Sequence, residues 1–304
     1  MCETMRERFT AVTADLLVSD DRTVLVLAVI GRSLFDRLGL PASAQARIID
    51  VGIREQAQIG VAGGLALEGF FPILMGYAPF LVERPFEQIK LSLSHQGVRA
   101  TLVSVGASWD AASEGRTHQA PEDVALMSTL PGWTVHVPGH AEELELLLRH
   151  AQCGGSSTYI RTSIHHNKQP FTTEPGRIVT LRRGSSIAPT ILALGPAADD
   201  VLDATADLDV TVLYTSTASP LDARGLNASV VSDELTIVEH HLVGTTTSQA
   251  VAALENRPMR FHAIGINEPD LARFGSPTQH KAAHRLDSAG IREQILGTSP
   301  ISVA

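Results

Sequence analysis

Asp50-Val51-Gly52-Ile53-Arg54-Glu55-Gln56 runs within a few residues into Gly60-Val61-Ala62-Gly63-Gly64-Leu65-Ala66-Leu67-Glu68-Gly69, and that into Phe70-Phe71-Pro72-Ile73-Leu74-Met75. The middle piece reads as a helix whose glycines and alanines let another backbone approach closely. The last piece, apolar throughout, reads as a buried strand. A helix between two short apolar strands is the βαβ unit of a parallel sheet. Glu55 starts that helix among Val51, Ile53, Val61 and Ala62, so it is expected to be enclosed by protein. Enclosure favours the uncharged acid and suits a carboxyl group to proton exchange near neutrality.

The same punctuation extends in both directions. A helix is expected over residues 6–18, strands over 23–30, 48–51, 71–75, 100–105, 134–137 and 157–160, and helices over 54–67, 86–93, 121–128 and 141–151. Residues 167–176 are polar and broken by Pro170 and Pro175, the signature of a connecting segment. Beyond it, strands are expected over 190–194, 210–214 and 235–239, with helices over 198–208, 245–254 and 288–297. The fold class is therefore α/β with two domains, each a mostly parallel sheet covered by helices: residues 1–168, a linker over 169–177, and residues 178–304.

A chain of 304 residues that is 44% hydrophobic and 19% charged has enough apolar material for two cores. Its net charge of -9 argues against nucleic acid or an anionic membrane as the main partner. Cys2 and Cys153 offer no disulfide framework, and the first residues lack a signal peptide's apolar core, so a cytoplasmic protein is expected. The run Val24 to Ile30 is far too short to span a bilayer.

Three motifs follow one another in order: Gly52-Ile53-Arg54-Glu55-Gln56, Tyr77-Ala78-Pro79-Phe80, and Gly115-Arg116-Thr117-His118-Gln119. In this order and at this spacing the chain resembles the transketolase family of thiamine diphosphate enzymes over nearly its whole length. The resemblance implies roles for individual residues. Glu55 would face the ring nitrogen of the cofactor's aminopyrimidine and exchange a proton with it through a charge-assisted hydrogen bond. Phe80 would stack on that ring, with Tyr77 as a second wall; as residues alone, both read equally as core aromatics. Arg84 would brace the site, its plain alternative being a surface arginine paired with Glu83 or Glu87. His118 would line the substrate funnel, where a neutral imidazole can bond a hydroxyl or assist proton transfer. Asp110, Glu114 and Glu122 lie near enough in sequence to tune it. Arg6 and Ser33 resemble a sugar-phosphate-binding pair.

The pattern is incomplete in two respects. Family members hold the diphosphate through Mg2+ with a Gly-Asp-Gly and a later Asn, and no Gly-Asp-Gly occurs in this sequence. The chain thus resembles the carboxyl-terminal half of a transketolase, and the resemblance implies that a separate chain carries the diphosphate and Mg2+, most simply as an α2β2 assembly. The sugar-phosphate half is also eroded. Glu114 stands in for a shorter acid and Arg116 for Pro or Ala; a donor-side histidine falls at Gly106, a phosphate-binding basic residue at Ile164, and an acidic residue at Val29. Arg161, His165 and His166 lie close by, and Arg116, beside His118, is the residue placed to replace the lost anion contact. Transfer of a two-carbon ketol or acyl unit with altered substrate selection is the leading reading. The alternatives are the beta subunit of a 2-oxo acid dehydrogenase-type enzyme and a non-catalytic stabilising subunit. His240 and His241 in Glu239-His240-His241 receive no catalytic role, because adjacent strand residues point to opposite faces.

Overall fold

The computed structural model describes residues 3–268 and 274–298 and shows an α/β chain with two sheets, both mostly parallel and helix-covered. The strands are β1 Thr23–Leu27, β2 Ile48–Asp50, β3 Phe71–Gly76, β4 Thr101–Ser104, β5 Trp133–His136, β6 Ser157–Arg161, β7 Val179–Arg182, β8 Thr190–Leu194, β9 Thr211–Thr215, β10 Thr217–Ser219, β11 Glu234–Leu242 and β12 Arg260–Ile266. The first sheet has the order β10-β5-β6-β4-β3-β1-β2 and the second β12-β11-β8-β9-β7. Only β10 and β7, both at edges, run antiparallel to their neighbours.

The central strands explain why the sheets are parallel and covered. Thr23–Leu27, Phe71–Gly76 and Thr190–Leu194 are buried at every position, which requires apolar cover on both faces. On one face of the first sheet, Leu144, Leu147 and Leu148 of the helix Ala141–Cys153 share a core with Phe9, Leu16 and Leu17 of the helix Met5–Ser19. Thr4 and Glu7 form a capping box at the start of the latter. On the other face lies the helix Glu55–Leu67. The close approach expected of its glycines occurs at Gly63 alone, where an added Cβ would come within 2.6 Å of the Ser92 carbonyl; Gly60 and Gly64 lie on the open side.

Several elements depart from the sequence expectation. The strand expected over 23–30 stops at Leu27, because Val29 and Gly31 take φ values of 71° and 88°. The Val29 N–H donates instead to Asp50 Oδ1 at 3.0 Å, as does that of Gly52 at 2.9 Å. The helix expected over 86–93 divides into an α-helical turn Phe86–Gln88 and a π-helical segment Ile89–Ser94. β7, β10 and β12 were not expected, nor were the helices Arg32–Asp36, Ala42–Gln45, Ala223–Ser229 and Pro277–Ala283. Among the described residues no helix is long and apolar enough to cross a membrane.

The two sheets are tied together. β10, which follows the linker in sequence, pairs with β5 of the first sheet. Glu143, buried in the first turn of the helix Ala141–Cys153, accepts from the Phe171 and Thr172 N–H groups at 2.7 and 2.8 Å through one oxygen. Its other oxygen accepts from the Gly139 N–H at 2.7 Å and the Tyr214 hydroxyl at 2.5 Å. Gly139 after β5, the segment at Phe171 and Thr172, and Tyr214 of β9 in the second sheet thereby converge on one carboxylate.

Candidate active site

At the carboxyl ends of β1, β2 and β3 the chain leaves the sheet through tight turns, and the first turn of the helix Glu55–Leu67 carries Glu55. In open α/β sheets ligands bind at this end of the strands. Glu55 is 5% exposed, as expected; of the apolar residues expected around it, Ala62 is buried and Val51 and Val61 pack against the core, whereas Ile53 is 74% exposed. Its neighbour is Arg84, whose Nη1 donates to Glu55 Oε1 at 2.7 Å. The surface pairing with Glu83 or Glu87 is thus replaced by a contact with the buried acid.

The Arg84 guanidinium also lies over the Phe80 ring, 4.3 Å from its centroid. Phe80 sits in the π-helical segment Pro79–Glu83, which follows β3 directly. The His118 ring meets Phe80 edge-on at 4.9 Å, and Tyr77 closes the triangle at 6.2 Å from Phe80 and 6.1 Å from His118. His118 ends the 3-10 turn Arg116–His118, with its Nδ1 2.9 Å from the Thr117 hydroxyl. A buried acid, a stacking ring, a wall ring and an imidazole therefore converge, although 63 residues of sequence separate Glu55 from His118.

A cavity of about 220 Å³ opens beside Tyr77, lined in part by Arg6, Gly106, Asp110, Ile164 and His166. Gly106 has φ +84°, and a Cβ there would stand 2.9 Å from the Tyr77 ring, so a side chain at this position conflicts with the wall ring. Arg6 lines this cavity together with Tyr77. Ser33, exposed in the short helix Arg32–Asp36, and Glu114, exposed on a turn, do not line this cavity.

Two expectations require correction. Arg161 does not face a substrate: it is 3% exposed, its Nε is 2.9 and 2.8 Å from the two Asp123 oxygens, and its Nη2 donates to the Ser108 hydroxyl at 2.6 Å. Asp123 also accepts from the Tyr159 hydroxyl at 2.6 Å, which completes a buried network beneath the site. Arg116 is engaged by Glu122 at 2.5 Å and by the Gln119 carbonyl at 2.7 Å rather than held open for an anion. Beside it, burial and the Glu122 charge push the Glu83 carboxyl up to about 7 against the pull of Arg116.

From the sequence, Asp110 is no more than a neighbour of His118, and the fold gives it a different place. Its carboxylate accepts from the Ala107 and Ile164 N–H groups at 2.9 and 3.0 Å and from the Ser163 hydroxyl at 2.9 Å, on the cavity wall. Burial pushes it up to about 6, opposed by these donors and by Arg161. In the sequence it is an acid in the loop after the strand expected over 100–105, a common place for aspartate. His240 packs on Trp109 and His165 while His241 faces Glu239, so the two adjacent imidazoles have separate surroundings.

Comparison with known proteins bears on the family and the fold. The family model described as transketolase, pyrimidine binding domain, matches residues 3–166. The chain is 40% identical over 283 residues to an uncharacterized 33.6 kDa protein in the fasciation locus of Rhodococcoides fascians, covering 92% of this chain and 89% of that one. It is 26% identical over 266 residues to an apulose-4-phosphate transketolase subunit of Actinobacillus succinogenes, covering 82% and 84%. Among solved structures, a split gene transketolase described as an inactive beta4 tetramer superposes with a TM-score of 0.84 at 24% identity, covering 98% of each chain, which establishes likeness of fold.

Proposed function

Because the chain belongs to the transketolase family, whose pyrimidine-binding domain it carries over residues 3–166, we propose that it is the C-terminal-half subunit of a split enzyme that transfers a two-carbon ketol or acyl unit through thiamine diphosphate. A separate chain supplies the diphosphate site and Mg2+, most simply in an α2β2 assembly. The relative from Actinobacillus succinogenes is itself named as a subunit, which supports a second chain.

One observation carries the reading. A planar, N–H-bearing cation, the Arg84 guanidinium, lies on Phe80 and donates to buried Glu55. A planar heterocycle with a ring N–H needs the same two partners, a stacking face and a carboxylate acceptor. The residues present therefore fit an aminopyrimidine, and the guanidinium is its stand-in. Arg84, whose side chain is 42% exposed, has room to move aside.

When bound, the cofactor supplies a carbanion at its thiazolium carbon. The chain's own residues have simpler tasks. Glu55 holds and exchanges a proton at the ring nitrogen. Phe80 and Tyr77 orient the ring and keep water from one side of it. His118, tethered by Thr117, presents its other nitrogen, Nε2, for a substrate hydroxyl. The eroded sugar-phosphate motifs support a selection different from that of ordinary sugar phosphates.

The test is reconstitution of the chain with a diphosphate-domain partner, Mg2+ and thiamine diphosphate, screened against ketoses and 2-oxo acids. Turnover that requires both chains and collapses in Glu55→Gln is expected. Undiminished turnover in that variant would end the reading.

A further inference from the structure

We propose that Asp110 sets the charge selectivity of the cavity beside Tyr77, so that the cavity takes a carbonyl substrate whose far end is neutral or singly charged and turns away a dianion such as a phosphate ester. The substrate class rests on the function proposed above; the charge selectivity is argued from residues of this chain.

Three observations support it. First, Asp110 cannot swing away from an incoming anion, because its two oxygens are held by the Ala107 and Ile164 N–H groups and the Ser163 hydroxyl, which belong to two separate segments. Second, the cation that most affects Asp110 is out of reach: Arg161 is 3% exposed and already divided between Asp123 and Ser108. Third, among the described residues lining the cavity, Arg6 is the one arginine or lysine, beside the imidazole of His166 and the apolar Ile164 and Val105. One guanidinium opposed by one fixed carboxylate leaves no net attraction for two negative charges. At separations of about 6 Å and an effective dielectric of about 40, one carboxylate weakens binding roughly tenfold per unit of the anion's charge, so that a dianion loses at least about tenfold even after salt screens the pair. With Asp110 pushed up to about 6 by burial, the carboxylate is ionised at neutral pH and lost just below it.

Sulfate, a dianion throughout the range, is the probe, and the Trp109 indole resonance next to Asp110 is the reporter. At pH 7.5, Asp110→Asn is expected to bind sulfate about tenfold more tightly than the wild-type chain. Should that variant fold poorly, pH serves in its place. The groups that face Asp110 or the cavity are Arg6, Arg161, His166, Tyr77 and, across Tyr77, His118. In a His166→Gln background, sulfate binding should strengthen several-fold from pH 7.5 to pH 5 as Asp110 takes up its proton. That strengthening must exceed any seen when Asp110→Asn is added, the difference being the part due to Asp110 itself. In the reconstituted enzyme, D-erythrose should be preferred to D-erythrose 4-phosphate, and Asp110→Asn should narrow that preference about tenfold. Sulfate binding indifferent to both Asp110→Asn and pH overturns the inference, as does a wild-type preference for the phosphate ester. Absence of all turnover in a two-chain complex counts against the proposed function, while the sulfate result still decides this inference.

Discussion

Glu55 and Glu143 occupy the same kind of position and do opposite things. Each is a buried glutamate, 5% and 1% exposed, in the first turn of a 13-residue helix packed on the first sheet. That location favours a carboxylate through the helix dipole. Glu143 accepts four hydrogen bonds, from Phe171 and Thr172, from Tyr214 of the second sheet and from Gly139 at its own helix entry. Glu55 has one described partner, the side chain of Arg84, which is 42% exposed. A buried acid whose lone pairs are all committed to backbone and a fixed hydroxyl is a clasp. A buried acid with a single removable partner is held ready for something else.

The strongest way to break the comparison is Glu143→Ala. Four buried donors would lose their acceptor at about 1 kcal/mol each, so chemical denaturation should show a loss of about 4 kcal/mol. A loss below about 1 kcal/mol would mean the clasp is decorative. Next comes Glu55→Gln, expected to lower turnover of the reconstituted enzyme at least about 100-fold, or about 3 kcal/mol of barrier, while thermal unfolding of the chain moves little. If this change unfolded the chain as badly as the one at Glu143, the distinction between the two acids would be gone.

Acid should act on the clasp side first. His136, bonded to Thr217 of the neighbouring strand β10, is pushed down to about 3 by burial, His165 to about 4, and His240 well below its usual range. Each is neutral when folded and protonates near 6.5 when unfolded. Their contribution is therefore complete above pH 6.5 and lost as pH falls below it, by roughly 1 kcal/mol per pH unit for each group, until the folded value is reached. Replacing His136 by Asn should flatten the stability profile between pH 6 and 4 by about one such increment. The smallest effect is expected at Arg84. A half-exposed ion pair contributes about 1 kcal/mol or less, so Arg84→Ala should cost the chain little stability. A double-mutant cycle with Glu55→Gln should give a coupling of that size; a coupling several times larger would make Arg84 a structural partner like those of Glu143.

What could be read in the sequence follows from how local each signal is. Thr23–Leu27, Phe71–Gly76 and Thr190–Leu194 are apolar or β-branched along most of their length, so their strand character needs no knowledge of neighbours. Glu55, Tyr77, Phe80 and His118 lie in ordered motifs and meet in space. β12, in contrast, begins Arg260-Phe261-His262 and is buried only toward its end, so no period declares it. β10 is three residues long and exists because β5 offers it an edge. Arg161 and Asp123 are 38 positions apart, and only the fold shows that they neutralise each other rather than a substrate. Asp110 is legible as an acid but not as a wall, because its donors Ser163 and Ile164 arrive from the far end of the domain.

The pairing of Thr217–Ser219 with Trp133–His136 bears on how this polypeptide can be divided. A fragment ended at the linker would display a bare sheet border at β5, open to whatever extended peptide it met, and would lose the residues that clasp Glu143. The remaining fragment would carry a short ribbon with nothing to lie against. Neither piece is a free-standing module, so recombination or engineering that shuffles these halves separately should yield insoluble products, whereas moving them jointly preserves both.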